Sequence, residues 1–233
     1  LSESLGMSLM GSSTIPAVLA ARMAKGVETG EKIVELVQKG VTTRDILTEE
    51  AFENAVMHLL TMGGSTNGIL HLQAIYHEAG LGELPLSVFD EFSRKTPQVA
   101  SIYPASEFDM VDFYEGGGVP AVLKEIEEYL HKDTLTVSGL TMGEALSRFS
   151  YTNNRNMIKT AEEPFAPTGG VAILKGNIAP LGCVIKPAAV PKHMFRYSGR
   201  AQVFTTEEES YQAVLEGRVK PGTCMVLMYA LSL

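Results

Sequence analysis

The sequence is poor in the features that mark several classes of protein. It has 2 cysteines in 233 residues, too few for a disulfide scaffold, and two thiols alone cannot complete a four-thiolate cluster or zinc site. Because Cys183 and Cys224 each lie in an apolar, strand-like run, we expect buried, reduced thiols. No apolar run approaches the roughly 18 residues that cross a bilayer, and no basic-then-apolar leader is present. We therefore expect no membrane span.

Positive charge is also scarce. The chain has 19 Lys and Arg against 27 Asp and Glu, a formal net charge of -8. A nucleic-acid partner needs a basic face that displaces counterions, so we expect no nucleic-acid partner. What is present is a composition of 45% hydrophobic and 20% charged residues, which is typical of one or two globular domains.

Residues 1–150 read as helices separated by caps and glycines. Ser13 or Thr14, followed by Pro16, predicts a helix to about Lys25 that ends at Gly26. A second helix is predicted over residues 31–39 and closed by Gly40. Further helices are predicted after the cap Thr48, after Gly63-Gly64 as far as Gly80, over residues 88–94, from Pro120 to about His131, and after the capping box of Thr141 and Glu144.

The composition changes near Tyr151. Residues 151–167 are polar and irregular, which predicts a linker between domains. Strand-like runs follow at residues 171–175, 183–186, 201–204 and 225–229, and the capping box of Thr206 and Glu209 opens a helix. The sequence thus predicts an α/β chain with one domain at residues 1–150 and a strand-rich second domain at residues 168–233.

The phrase Gly63-Gly64-Ser65-Thr66-Asn67-Gly68 is the most informative in the sequence. Glycines permit close approach of a ligand, and Ser65 or Thr66 can cap the next helix, whose free amides favour an anion such as a carboxylate or phosphate. The alternative is a structural corner whose hydroxyls bind only their own backbone, and from the spacing alone we favour that corner.

Three histidines flank this loop. His71 stands four residues after Asn67, so both side chains share a helix face and could reach one ligand. His58 and His77 lie on the neighbouring helical segments. A metal site is one interpretation, but no second histidine or carboxylate has helical spacing from His71, so we favour a hydrogen-bonded interior histidine there.

Two other segments allow more than one interpretation. Gly116-Gly117-Gly118 before Pro120 is either a second anion site or a point of tight packing, which we favour. Asp109, Asp112 and Glu115 are either paired carboxylates or part of an amphipathic segment. Thr168-Gly169-Gly170 reads as ordinary turn chemistry.

Several phrases in the same order along the chain resemble the dihydroxy-acid dehydratase family, which includes sugar-acid dehydratases. The matching phrases are residues 5–9 with 11–14, 43–48 with 51–55, 63–67 with 70–72, 117–122, 168–170 with 174–180, and 203–204. Residues 175–186 resemble the branched-chain amino acid enzyme more than its sugar-acid relatives. Leu181 and the pair Ser106-Glu107 stand where the family has an aspartate and a glycine-lysine pair.

The resemblance implies a fold, an activity and cofactors. It implies the end of an α/β/α amino-terminal domain joined to the start of a β-rich, swivelling carboxy-terminal domain. It implies a homodimeric hydro-lyase that converts a small 2,3-dihydroxy-3-methyl carboxylic acid into a 2-keto acid in valine and isoleucine biosynthesis, with an iron-sulfur cluster and magnesium. It makes Ser65, Thr66 and Asn67 substrate-binding candidates facing the active-site cleft, with a structural corner as the alternative.

The resemblance places no catalytic, cluster or magnesium residue in this chain. Neither cysteine matches a cluster cysteine, and Ala230 stands where the family has a magnesium-binding glutamate. We therefore interpret the chain as a central fragment that is inactive alone. The alternatives are a fragment of a sugar-acid dehydratase (aldonate or phosphogluconate) and a non-catalytic relative that acts as an interaction subunit. The expected location is the bacterial cytoplasm, or a plastid or mitochondrion in a eukaryote.

Overall fold

A computed structural model describes residues 1–150 and 154–228. The chain forms two compact units, the first spanning Leu1–Ala189 and the second beginning at Val190. The predicted linker at residues 151–167, with the domain bounds on either side of it, stays a prediction, and its first three residues lie outside the described part of the chain.

The first unit is mostly helical. Its α-helices are α1 (Ala20–Lys39), α2 (Thr43–Ile46), α3 (Glu49–Thr61), α4 (Asn67–Glu78), α5 (Leu86–Lys95), α6 (Met110–Glu115), α7 (Gly118–Glu125) and α8 (Met142–Ser147). Strands β1 (Ala172–Leu174) and β2 (Cys183–Ile185) form an antiparallel pair in which Ile173 lies opposite Val184. Short 3-10 helices cover Glu127–Tyr129 and Pro187–Ala189.

Helix α1 is one continuous helix where the sequence predicts two, and it begins later than the first of them. Ser13 does not cap it, because the Ser13 hydroxyl donates to the buried carboxylate of Glu3, and the helix begins after Leu19. Gly26 does not end it either. An isolated glycine costs a helix only about 1 kcal/mol, and side-chain pairs one turn apart, such as Lys25 with Glu28 at 2.6 Å, span this stretch. The predicted end at Gly40 is confirmed.

The predicted hydroxyl caps of α3 and α8 are confirmed, whereas Thr66, directly before α4, makes no side-chain cap hydrogen bond and Ser65 Oγ accepts the Asn67 amide instead at 3.3 Å. Thr48 accepts the Ala51 amide at 3.3 Å and opens α3, and Thr141 accepts the Glu144 amide at 3.3 Å and opens α8. Each satisfies an amide that the helix leaves unpaired in its first turn. The helix predicted from Pro120 to His131 is shorter, since α7 ends at Glu125.

Helix α3 carries the core of the first unit. Ten of its residues are buried, so it is apolar on more than one face. Phe52, Val56 and Leu60 pack with Ile69 and Leu72 of α4, Phe89 of α5 and Ile173 of β1. Met57 joins a second cluster built from α7, α8 and the segments around Val99 and Met157. Because α3 is held between two clusters, the turn at its end is fixed in place.

The second unit contains the remaining strands. Here β3 (Arg200–Phe204) pairs in parallel with β4 (Thr223–Leu227), and α9 (Glu207–Leu215) connects them. Thr206 accepts the Glu209 amide at 3.1 Å, as the capping box predicts. The predicted strand at 225–229 is confirmed in part, with Tyr229 outside the described residues.

The predicted fold class, a mixed α/β chain with a helical first part and strands in the second, is confirmed. In the part of the chain that the structure describes, no helix combines the length and apolar character needed to span a bilayer.

Candidate functional site

The candidate site is built on the corner between α3 and α4. Gly63 adopts a left-handed backbone with φ of 57°, and the Gly64 amide closes the end of α3 by donating to Leu59 O at 2.9 Å. A Cβ on Gly64 would lie 2.6 Å from Leu59 Cδ1. The two glycines therefore let the chain turn tightly over Leu59 and place Ser65 and Thr66 at the start of α4.

A second segment packs directly against this corner. The Gly170 amide donates to Leu60 O at 2.9 Å, and the Gly169 amide donates to Ser93 O at 2.7 Å. A Cβ on Gly170 would lie 2.4 Å from Gly63 Cα, closer than two carbon atoms can approach. These glycines are thus required by backbone contact, and the prediction of ordinary turn chemistry for 168–170 is wrong at Gly170.

A cavity of about 520 Å³ opens beside the corner, within the usual range for small-molecule sites. The wall comprises residues 62–66, Gln98, residues 101–105, Gly170, Lys186, Ala188 and Ala189. An isolated antiparallel bridge between Ala100 and Ile158 anchors the chain just before residues 101–105. The wall therefore combines segments that are far apart in sequence and fixed by backbone hydrogen bonds.

Lys186 gives the cavity its charge. It is the sole charged side chain among the described residues that line the cavity. No carboxylate pairs with it in the described ranges 1–150 and 154–228. Met62, Ile102, Pro104 and the alanines add apolar surface, and Ser65, Thr66 and Ser101 add hydroxyls. Chemically, this wall suits a small anionic molecule with both an apolar part and hydroxyl groups.

The structure places the three predicted binding residues in different positions. Ser65 and Thr66 line the cavity, whereas Asn67 begins α4 and is not part of the lining. The Asn67 amide donates to Ser65 Oγ at 3.3 Å, so the Ser65 hydroxyl also supports the local backbone. The sequence does not identify Lys186 as a site residue, because this lysine ends a predicted strand and its neighbours in sequence do not indicate a cavity.

The histidines do not form the arrangement that the sequence allows. His71 and His77 are both exposed on α4, so the prediction of an interior His71 is wrong. The turn after Met62 points the opposite face of α4 toward the core, through Ile69 and Leu72.

The buried histidine is His58, on α3. Its Nδ1 lies 3.0 Å from Ser4 Oγ, and its Nε2 has no hydrogen-bond partner among the described residues. Burial lowers the pKa of His58 to about 3, because desolvation penalises the imidazolium. His58 is therefore neutral in the folded protein at neutral pH.

The other polar candidates have structural roles. Asp109 caps α6 by accepting the amides of Val111 at 2.7 Å and Asp112 at 3.0 Å, and the Asp112 carboxylate accepts the Asp109 amide at 2.8 Å. Asp109 and Asp112 thus form a capping box, which satisfies the first amides of α6.

The glycines at 116–118 pack tightly. A Cβ on Gly118 would lie 2.7 Å from Thr14 Oγ1, so the favoured interpretation of this segment is confirmed.

The cysteines are free thiols, but the prediction that both are buried is wrong. Cys183 is exposed and Cys224 is partly exposed. Each lies in a two-stranded sheet, which leaves strand faces uncovered.

An iron-sulfur cluster or a magnesium ion needs ligands that converge on one point. Within the described ranges, no group of three or more His, Cys, Asp or Glu side chains could hold a metal ion. We therefore assign no ligand of either group to this chain.

Comparison with known families identifies the class of this chain. The family description "Dihydroxy-acid/6-phosphogluconate dehydratase N-terminal" matches residues 1–145, and the corresponding C-terminal description matches residues 156–230. The chain belongs to this dehydratase family. The corner at 63–66 lies in the first match and Lys186 in the second, so the cavity draws on both.

Among curated proteins, the chain is similar to several named dihydroxy-acid dehydratase. It is 45% identical over 231 residues to the one from Ignicoccus hospitalis, 46% over 230 residues to that from Methanosarcina barkeri, and 44% over 227 residues to that from Thermodesulfovibrio yellowstonii. These alignments cover 97 to 98% of this chain and 41 to 42% of the relatives. The chain thus spans about two fifths of their length.

Proposed function

We propose that the protein carrying this chain is a dihydroxy-acid dehydratase. The observation that carries the proposal is the similarity of about 45% over nearly the whole chain to relatives of that name. In the proposed reaction, a 2,3-dihydroxy-3-methyl carboxylic acid loses the C2 proton and the C3 hydroxyl as water. The resulting enol takes up a proton at C3 and loses the proton of its C2 hydroxyl, which gives the 2-keto acid, so atoms and charge balance.

The proposed binding place is the cavity beside the α3–α4 corner. Ser65 and Thr66 offer hydroxyls, and Asn67 supports the corner through its amide. We propose these three residues as the substrate-binding set, with Ser65 and Thr66 in contact and Asn67 behind them.

The lining supports the branched-chain substrate over a sugar acid. A pentonate presents hydroxyls along its whole length, and phosphogluconate adds a phosphate. Apolar groups of Met62, Ile102 and Pro104 would leave such hydroxyls unpaired, and Lys186 alone provides one positive charge in the lining that the structure describes. A methyl-branched acid with a single carboxylate matches both features.

The proposal extends to the cofactors, assembly and location that the resemblance implies. These are an iron-sulfur cluster and magnesium in the complete enzyme, a homodimer, and a role in valine and isoleucine biosynthesis in the cytoplasm. Because the described residues provide no ligand set for either metal group, this chain is expected to lack activity by itself. Iron analysis and light scattering of the full-length protein test these points.

The test is a substrate comparison with the full-length protein that carries these residues. We expect 2-keto acid from 2,3-dihydroxyisovalerate, detected as its hydrazone, at a higher kcat/KM than from a pentonate or from 6-phosphogluconate. Preference for either sugar acid would replace the proposal with a sugar-acid dehydratase. A protein that is inactive on all three and forms a defined complex without iron would support the interaction subunit instead.

A further inference from the structure

Lys186 is held at the cavity by the packing of the β1–β2 pair. It directly follows β2, in which Ile185 pairs with Ala172 of β1. Strand β1 is in turn fixed to α5, since Ser93 Oγ donates to Val171 O at 2.5 Å. After Lys186 the chain enters a 3-10 helix, and the Ala189 amide donates to Lys186 O at 3.0 Å. The backbone that carries this lysine is therefore fixed on both sides.

The charge of Lys186 is not balanced by the protein. It is half-buried in the wall, no carboxylate lines the cavity, and no ion pair involves it in the described residues. Lys175 and Lys192 also have no ion pair among the described residues, but both are exposed, whereas Lys186 is half-buried. Most lysines on helices α1, α5 and α7 pair with a glutamate within one turn. A partly desolvated cation without a partner is stabilised when an anion binds beside it.

We propose that Lys186 binds the carboxylate of the acid that occupies the cavity. This inference rests on the proposed function and adds to it a residue that fixes the orientation of the substrate. With the carboxylate at Lys186, the methyl-branched end of the acid lies along the apolar wall near Met62 and Ile102, and its hydroxyls lie within the part lined by Ser65 and Thr66.

The experiment compares an acid with its neutral amide. The full-length protein is titrated calorimetrically with 2-hydroxyisovalerate, which lacks the C3 hydroxyl and therefore cannot be dehydrated, and with the amide of the same acid. The variants are Lys186→Met and Lys186→Gln, which remove the charge, and Lys186→Arg, which keeps it. The matched control is Lys175→Met, since Lys175 is exposed next to β1 and outside the cavity lining.

We expect the preference for the acid over the amide to be lost only when the charge of Lys186 is removed. The unchanged protein should bind the acid roughly ten to a hundred times more tightly than the amide, as a charge-assisted hydrogen bond provides. Lys186→Met and Lys186→Gln should bind both ligands with similar, weak affinity. Lys186→Arg should retain part of the preference, and Lys175→Met should retain all of it.

The possible failures are distinguishable. If the acid binds and Lys186→Met and Lys186→Gln both keep the preference for it, Lys186 does not contact the carboxylate, but the proposed function stands. If Lys175→Met loses as much preference, the effect comes from overall charge and the assignment is wrong. If the unchanged protein binds neither ligand, both the assignment and the proposed function fail. Circular dichroism of each variant verifies that it is folded.

Discussion

Acidification should weaken the folded state through one buried histidine. His58 lies on α3 at 4% exposure, with Nδ1 bonded to Ser4 Oγ and Nε2 unpaired in the described part of the chain. Burial lowers its pKa from 6.5 to about 3. In the unfolded chain His58 therefore binds a proton near pH 6.5, whereas in the folded chain it binds one only near pH 3. The free energy of unfolding falls as the pH drops through this window.

The size of the effect follows from the two pKa values. At about pH 7.5 both states hold a neutral His58 and the histidine contributes almost nothing to the pH dependence. At about pH 5.5 the unfolded state is about 90% protonated, which lowers the free energy of unfolding by about 1.4 kcal/mol. Carboxyl groups with lowered pKa values, such as Asp45 and Glu50, titrate at lower pH.

The measurement is urea-induced unfolding at these two pH values, followed by circular dichroism. Between the higher and the lower pH, the free energy of unfolding of the unchanged protein should fall by about 1.4 kcal/mol more than that of His58→Leu or His58→Asn. His71→Gln, which removes an exposed histidine on α4, should keep the full loss. If His58→Leu shows the same pH dependence as the unchanged protein, His58 is not the group responsible and the argument from burial fails.

Three further predictions concern packing, capping and exposure. Gly170→Ala should destabilise the protein by about 1 to 3 kcal/mol in urea unfolding, because the new Cβ meets Gly63 Cα. Gly176→Ala should cost far less, because a Cβ there has no atom within 4 Å. Equal stability of the two variants would contradict the close contact. Thr141→Ala should cost about 1 kcal/mol through the lost α8 cap, and Thr141→Ser should restore most of it. Cys183 should react readily with a thiol reagent in the folded protein, and protection to the degree of a buried thiol would show that its strand is covered.

Local chemistry made parts of this fold predictable from sequence. The hydroxyls of Thr48, Thr141 and Thr206 each precede a helix and each accept an amide of its first turn. Gly40 ends α1 in a left-handed conformation, as the Gly after a helix usually does. These features depend on residues within about one helical turn, so the sequence contains the information needed to predict them.

Features that depend on distant contacts were not predictable in this way. Ser13 is a residue type that often caps helices, but its hydroxyl donates to the Glu3 carboxylate instead. Whether His71 is buried depends on the side of α4 that packs on α3, and the residues around Asn67 do not reveal it. Lys186 and Gly170 are the clearest examples, because their roles exist only once residues more than a hundred positions away pack against them.

The contact between Gly63 and Gly170 determines where the chain can be shortened. A piece ending at residue 167 would remove the amides that bind Leu60 O and Ser93 O. Leu60 O would keep the Gly63 amide at 3.1 Å, whereas Ser93 O would lose the Gly169 amide, and a buried acceptor left unpaired costs about 1 to 3 kcal/mol. Such a piece would also open one side of the cavity to solvent. A piece ending at Ala189 retains both amides and every lining residue. Ala189 is therefore the earliest point at which the chain can end without losing a residue of the cavity wall.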